Sequence, residues 1–450
     1  MLYAIINHIK DKKDIGVSLK RLFVNLYCDL ITNKTVRQKV RQFLLNQDKT
    51  EVLEQQNCDL RSCYDDVISQ YRTLKSQYDN LQNECYDCFA KYQQQLYSIL
   101  NLPKYDFKPR KKSVLLIEPN PYHGEIQPGF VKYFQDLGYN VDIFMRLENY
   151  LENPFVKYTE NPPRMFFGTA PVIRDWVNGL RGNEYEYIFL SSSAFWDAPR
   201  EFFGKYLDYL GQTPKSKHGI LMVEHNAVPY LHEYDEEKYL AEHRVFALTE
   251  NNGIPRLNPH YFGEFKTKKF NNREISFVVV GGINSSCKNH ALLLKTIKKL
   301  IKNNITNFKV FVVGNGNLDI PDEISKYISV LGRLNYDDMY KTVNNADYVL
   351  ALLDPSNPDH TRYKTGTTTG SFQLSLGFNK PMVIEQSFAS HYNLDEKNAV
   401  IYSGHDLYNA MLNAIKIGSA EYNKMCKNLA ILEGDIYQES LENLKKAMVK

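Results

Sequence analysis

The residues best suited to chemistry form a glycine- and hydroxyl-rich turn, Thr365–Ser371, which opens a helix-like run. Arg362 and Lys364 stand directly before it, and Lys288 follows an earlier apolar run. A helix that opens in this way directs free N–H groups at an anion, and nearby cations add to the attraction. The pattern predicts a phosphate site, with a solvated loop as the alternative. The residues assigned to the phosphates are Lys288, Arg362, Lys364, Thr367, Thr368, Thr369, Gly370 and Ser371.

Candidate acid–base residues follow two other apolar runs. His123 and Glu125 are the titratable pair on the loop after the run 113–117, and either could take a proton from an acceptor hydroxyl. His225 stands beside Glu224 at the end of a later run. A histidine at the end of a strand is often structural, so that alternative stays open for His225.

Other motifs of known chemistry are missing from the sequence. No G-x-S-x-G elbow is present, which leaves a Ser-His-Asp triad unsupported. The pair Gly314 and Gly316 lacks the third glycine of a dinucleotide fingerprint, so NAD binding is weakly supported. No Asp-x-Asp motif occurs either. We therefore expect chemistry without a metal or a cofactor.

Composition limits the class of protein. The 450 residues carry a formal charge of +3, from 55 Lys and Arg against 52 Asp and Glu, which is too weak to predict nucleic acid as the main partner. No run approaches the roughly 18 apolar residues of a membrane span, and the seven cysteines form no regular framework. These observations predict a cytoplasmic protein. A peripheral membrane contact, or simply a solvated helix face, would explain the basic residues Lys295, Lys298, Lys299 and Lys302.

The first region, residues 1–105, is predicted to be helical because it has one glycine and no proline before Pro103. Within the predicted helix 57–100, a stripe of residues follows a 4-3 spacing that is typical of a coiled-coil seam. The stripe consists of Leu60, Tyr64, Val67, Tyr71, Leu74, Tyr78, Leu81, Cys85, Cys88, Tyr92, Gln95 and Ile99. It predicts helix pairing, either between copies of the chain or within one chain. Cys85 and Cys88 have a zinc-like spacing, but their place on the seam favours packing.

Two regions with a different pattern follow a basic, proline-containing linker. In residues 113–255 and again in 273–430, short apolar runs alternate with helix-like segments, and the runs end in polar or small residues. This alternation predicts two tandem, Rossmann-like α/β domains with parallel sheets, whose ligand sites lie at the carboxyl ends of the strands. The remaining segment, 431–450, is predicted to be a terminal helix.

The order and the residues of these two regions resemble a GT-B glycosyltransferase, and the second region is similar to the glycosyltransferase group 1 domain. Four pieces carry the resemblance: Val280–Gly282 with Lys288 and Asn289, Val313–Gly316, Leu331–Leu334, and the loop, helix and strand from Gly370 to Ile384. The resemblance implies two domains that face each other across a cleft. It also implies a nucleotide-sugar donor and a saccharide, lipid-linked or protein acceptor.

The resemblance further assigns site residues. It makes Lys288 a ligand of the donor diphosphate and places the nucleoside at Gly282, Gly332, Arg333, Leu334 and Gln373. Many members carry two glutamates seven residues apart, whereas this chain has no acidic residue between Asp359 and Glu385. Two alternatives therefore stay open: a nucleotide-sugar epimerase of the same fold, and an inactive helical assembly protein.

Overall fold

The structure is a computed structural model that describes residues 34–35, 37–38, 66–70, 72–73, 75–77, 110–197, 202–226, 244–249, 253–266, 268, 270, 273–283 and 288–449. The chain divides into two compact units, 1–89 and 90–450. In the first unit, the described residues are helical. The predicted coiled-coil seam lies largely outside the described residues, and Cys85 and Cys88 lie wholly outside them, so helix pairing stays a prediction.

The second unit begins with an α/β domain, called here the first lobe. Its main sheet has six parallel strands in the order β3-β2-β1-β4-β7-β8. The strands are β1 (Ser113–Glu118), β2 (Asn140–Arg146), β3 (Arg164–Gly168), β4 (Tyr187–Leu190), β7 (Ile220–Glu224) and β8 (Val245–Ala247). An antiparallel pair, β5 (Ala194–Asp197) and β6 (Phe202–Lys205), follows β4. The helices are α1 (Gln127–Asp136), α2 (Glu148–Glu152), α3 (Ala170–Asn178) and α4 (Tyr206–Leu210).

The second lobe repeats this plan with six parallel strands in the order β11-β10-β9-β12-β13-β14. The strands are β9 (Ile275–Val280), β10 (Phe308–Val313), β11 (Ile328–Gly332), β12 (Tyr348–Leu350), β13 (Met382–Glu385) and β14 (Val400–Tyr402). The helices are α5 (His290–Lys302), α6 (Tyr336–Asn345), α7 (Gly370–Phe378), α8 (Gln386–Ala389), α9 (Leu407–Lys416) and α10 (Ser419–Met448). Setting aside β5 and β6, both sheets have the Rossmann strand order, so the predicted fold class of two tandem Rossmann-like α/β domains is confirmed.

Local sequence explains where these elements begin. Asn289 caps α5, because its side chain accepts a hydrogen bond from the backbone N–H of Leu292 at 2.9 Å. The strand β1 is buried over its whole length, as expected for a parallel sheet covered on both faces. At the ends of β9 and β10 the backbones nearly touch: a Cβ on Gly314 would lie 1.8 Å from the carbonyl oxygen of Gly281. Only glycine fits there.

The last helix, α10, belongs to both lobes. Its first half packs into the second lobe, where the hydroxyl of Tyr422 donates to the carbonyl oxygen of Asp347 at 2.7 Å and Leu429 is buried. Its last turns enter the core of the first lobe through Leu444 and Ala447. The boundary predicted at 430 therefore falls inside one continuous helix. None of the described helices has the length and apolar character needed to cross a membrane.

We expect Leu444→Ala to destabilise the protein by about 2–5 kcal/mol, because it removes a fully buried side chain that joins α10 to the first lobe. The matched control on the same helix is Ile431→Ala, since Ile431 is 63% exposed. Thermal and denaturant unfolding measure both variants. Equal stability of the two would contradict the role of α10 as a bridge.

Candidate active site

The carboxyl ends of the two sheets face each other, and hydrogen bonds and ion pairs between the lobes join them. The hydroxyl of Thr367 donates to Oδ1 of Asn226 at 2.8 Å, and the hydroxyl of Tyr336 donates to Oε2 of Glu125 at 3.3 Å. Arg333 forms an ion pair with Glu152. Since these residues come from different lobes, the two lobes are in contact at the carboxyl ends of their sheets, and the cleft between them stays a prediction.

The second-lobe wall contains the predicted anion site. The ammonium group of Lys288 donates to the hydroxyl of Ser371 at 3.1 Å and to the carbonyl oxygen of Ala351 at 3.2 Å. Ser371 lies in the first turn of α7, and the side chain of Thr369, at the N-cap position, makes no capping bond there. A cation and the positive end of a helix dipole therefore lie side by side, an arrangement that attracts a phosphate.

The cations that precede the turn lie over aromatic rings. The guanidinium of Arg362 is 4.9 Å from the centre of the Tyr363 ring, and the ammonium of Lys364 is 4.4 Å from that of Phe388. Such stacking holds a cation in place without neutralising its charge. The predicted role of Arg362 and Lys364 at the diphosphate stays a prediction, as do those of Thr367, Thr368 and Gly370.

The predicted nucleoside residues lie at strand ends or at the start of α7. Gly332 ends β11 with a φ of +68°, and Arg333 after it is engaged by Glu152 of the first lobe. Leu334 packs against the core of the second lobe, while Gly282 follows β9. Gln373 is buried in α7, and its Nε2 has no hydrogen-bond partner among the described residues. A buried amide donor without a partner suits a ligand hydroxyl.

The first-lobe wall brings two of the predicted catalytic residues together. The rings of His123 and His225 lie 4.4 Å apart, and His123 has a left-handed backbone with φ of +67°. Burial lowers the pKa of His123 to about 4 and that of His225 to about 3, so both imidazoles are neutral at pH 7. Nε2 of His225 lies 2.7 Å from the carbonyl oxygen of Ser191, and this contact requires a proton on Nε2.

Glu125, the third predicted catalytic residue, is engaged across the cleft. It accepts the hydrogen bond from Tyr336, and one of its carboxylate oxygens lies 4.0 Å from Nδ1 of His123. Burial raises the pKa of Glu125 above its usual range. The contact with Tyr336 makes Glu125 a link between the lobes as well as a candidate acid.

Glu118, a fully buried carboxyl at the end of β1, was not among the residues predicted from the sequence. Its two oxygens accept hydrogen bonds from the backbone and side chain of Asn120 and from the hydroxyls of Ser191 and Ser192. Burial nevertheless raises the pKa of Glu118 to about 7. An acidic residue directly after the apolar run 114–117 was the signal in the sequence.

In the described parts of the chain, no group of three or more His, Cys, Asp and Glu side chains is arranged to hold a metal ion. Chemistry without a metal or a cofactor stays a prediction.

No protein-family model and no curated protein matches the chain. Among solved structures, it is similar to sucrose-phosphate synthase from Thermosynechococcus elongatus at 12% identity and a TM-score of 0.42, over 74% of this chain and 98% of that one. It is similar to a variant of S. aureus TarM at 10% identity and a TM-score of 0.47, over 75% of this chain and 100% of that one. It is also similar to a glycosyltransferase from Rickettsia africae at 11% identity and a TM-score of 0.44, over 76% of this chain and 100% of that one.

Glu118 makes the stability of the protein depend on pH. The folded chain keeps the proton on Glu118 up to about pH 7, while the unfolded chain loses it near pH 4.5, so the folded state binds more protons between these values. Stability should fall as pH rises through this window, by roughly 3 kcal/mol at most. Glu118→Gln should remove this fall.

Melting temperatures from pH 4.5 to 8 test this expectation, with Glu421→Gln on the exposed surface of α10 as the control. The relevant quantity is the difference between the wild type and each variant at each pH, because His123 and His225 contribute equally to all three proteins. A difference between the wild type and Glu118→Gln that stays constant across pH would contradict the raised pKa.

Proposed function

We propose that the protein is a glycosyltransferase that moves a sugar from a nucleotide-sugar donor to an acceptor hydroxyl. The observation that carries this proposal is the hydrogen bond from Thr367 to Asn226. Thr367 belongs to the turn that opens α7, and Asn226 directly follows His225. This bond brings the turn that opens α7 to the residue beside His225, so that a helix terminus able to attract an anion lies near the candidate bases.

The second-lobe wall suits the departing group. When the bond between the anomeric carbon and the diphosphate breaks, negative charge grows on the nucleoside diphosphate. Lys288 and the amide groups at the start of α7 are already fixed in place to stabilise this charge. The unpartnered Nε2 of Gln373, two residues along from Ser371, is the donor that we assign to a nucleoside hydroxyl.

The first-lobe wall suits the incoming group. We assign the base to His123, because its imidazole is neutral at pH 7 and its side chain is 35% exposed. The imidazole takes the proton of the acceptor hydroxyl while the oxygen forms a bond to the anomeric carbon. The strained backbone of His123 is typical of residues held in place for catalysis.

Several finer features belong to the same proposal. The enzyme would act in the cytoplasm without a metal or a cofactor, and its amino-terminal helices would join copies of the chain. A peripheral membrane contact through α5 is less well supported, because Lys298 pairs with Glu323 and Lys299 lies over the ring of Tyr408.

Replacement of Lys288 by Met should weaken binding of a nucleoside diphosphate by about 10- to 100-fold, because it removes a charged hydrogen-bond donor and keeps the aliphatic stem. Calorimetric titration with UDP, GDP, ADP and CDP measures the effect. Lys298→Met, which removes an exposed lysine on α5, is the control and should leave affinity unchanged.

Incubation with the nucleotide sugar of each nucleoside diphosphate that binds separates the transferase from the epimerase. A transferase should release the nucleoside diphosphate and should do so faster when an acceptor is present. Conversion of the donor alone, with no acceptor required, would identify an epimerase instead. A folded wild type that binds none of the four nucleotides would count against both enzymes and favour the assembly protein.

His123→Asn should lower kcat by about 10²- to 10⁴-fold and leave nucleotide affinity unchanged, because it removes the base but no diphosphate contact. The control is His218→Asn, since His218 is a surface histidine on the same lobe. Initial rates at saturating donor measure both variants. Full activity of His123→Asn would exclude His123 as the base.

A further inference from the structure

A cavity of about 280 Å³ lies where the segment that connects the two lobes passes the second lobe. It is lined by the connecting segment at 260–265, by Asn344 of α6, by the end of α7 at 376–379, and by Ala430 and Glu433 of α10. Both α6 and α7 begin at the candidate active site, and the cavity lies at their opposite ends. It is therefore a separate place in the molecule, called the connector cavity below.

Close packing fixes the walls of the connector cavity. A Cβ on Gly377 would lie 2.0 Å from the carbonyl oxygen of His260, so the end of α7 and the connecting segment meet backbone to backbone. The imidazole of His260 is itself buried and reaches α10, with Nε2 2.9 Å from Oε1 of Glu433. Because these walls are already in place, a ligand would lose little free energy in ordering them.

The lining of the connector cavity favours a positive charge. Among the described residues that line it, Glu433 is the only acidic one and none is Lys or Arg. The side chain of Glu433 is 35% exposed, so it is open to a ligand. The second ring nitrogen of His260 lies 3.2 Å from Oδ1 of Asn258, so both nitrogens of this ring are directed at oxygen atoms of the protein. An anion would therefore lack a lysine or arginine partner, whereas a cation has a carboxylate.

The end of α7 adds to this preference. The helix ends at Phe378, and its last carbonyl groups give that end partial negative charge, which attracts cations. The end of α6 is instead engaged by Lys268, whose ammonium donates to the carbonyl oxygen of Asn345 at 2.5 Å. Lys132 lies 5.9 Å from the centre of the Tyr261 ring, and its charge is balanced by Asp136. Glu433 and the end of α7 are thus the groups that would meet a cation.

Three aromatic side chains give the connector cavity an apolar surface as well. Tyr261 and Phe265 are half-buried, and Phe265 packs on Phe378 with ring centres 4.6 Å apart. Aromatic faces attract cations and also pack against apolar stems. At about 30 Å³ for each water-sized group, the volume holds a molecule of roughly ten non-hydrogen atoms.

We propose that the connector cavity is a second ligand site and that its ligand is a small organic cation, an ammonium group on a short apolar or aromatic stem. The ammonium binds Glu433 beside the end of α7, and the stem lies against Tyr261 and Phe265. A neutral molecule of the same shape leaves the carboxylate without a charged partner, and an anion is repelled by it. The inference does not depend on the proposed function, because it uses none of the residues assigned to the donor or the base.

Three probes of one shape test the charge preference: benzylamine, benzyl alcohol and benzoate. Ligand-observed NMR titration of the full chain should give a dissociation constant of about 0.1–1 mM for benzylamine. The alcohol and the carboxylate should bind about tenfold more weakly or worse, because they lack the charged donor. Equal binding of either one, or no binding of benzylamine, would overturn the proposal.

Glu433→Gln tests the assigned carboxylate, because it removes the charge and keeps the size. It should weaken benzylamine binding about tenfold and leave benzyl alcohol binding unchanged. Glu421→Gln, at an exposed position on the same helix, is the matched control. Melting temperatures are measured in parallel, since Glu433 also contacts His260. Wild-type affinity for benzylamine in a folded Glu433→Gln would contradict the proposal.

Ala430→Trp tests the cavity without touching its polar groups. Ala430 is an exposed residue of the lining, so a large side chain there should block all three probes while the protein stays folded. The matched control is Ile431→Trp, since the neighbouring Ile431 is 63% exposed and does not line the cavity. Unchanged benzylamine binding by Ala430→Trp would place the amine elsewhere and reject the connector cavity, even if Glu433→Gln failed to fold.

A competition experiment separates this site from the proposed function. Saturating UDP should not displace benzylamine, because the two sites lie at opposite ends of α6 and α7. Displacement would place the amine at the candidate active site and overturn the proposal. Benzylamine binding by a wild type that binds no nucleotide would reject the transferase and support the connector cavity.

Discussion

The site depends on the way in which α10 fixes one lobe against the other. The helix contributes Leu429 to the core of the second lobe and Leu444 to the core of the first. It also holds the segment that connects the lobes, since the hydroxyl of Ser440 accepts a hydrogen bond from the backbone N–H of Asn258 at 3.1 Å and Glu433 contacts His260 at 2.9 Å. These contacts fix the position of the first-lobe sheet relative to the second-lobe sheet, which no hydrogen bond between strands of the two sheets does.

In the proposed transferase, the two lobes would divide the chemistry between them. The second lobe offers positive charge at Lys288 and at the start of α7, where the proposed diphosphate would depart. The first lobe offers the uncharged imidazoles of His123 and His225, kept neutral by burial. Cations on one wall and neutral bases on the other do not compete for the same anion, so a donor and an acceptor can be held together.

The regular parts of the fold were predictable because burial leaves a clear pattern. The predicted run 113–117 lies within β1, and α7 begins at Gly370, where the sequence places a helix. The strand β3 follows two prolines and β14 has only three residues, so neither gave a recognisable run. Glu118 was not predicted either, because its raised pKa results from burial, and the residues around it, such as Ser191 and Ser192, lie more than 70 positions away in the sequence.

The sequence by itself determined the two α/β domains and the residue types at their strand ends, because periodicity and turn chemistry are local properties. Tertiary structure decided which of these residues meet. Three contacts illustrate this. The hydrogen bond between Thr367 and Asn226, the ring contact between His123 and His225 and the hydrogen bond between Trp196 and Asn120 join residues 141, 102 and 76 positions apart in the chain. Contacts of that separation follow from how sheets and helices pack, and a single sequence carries no direct record of them.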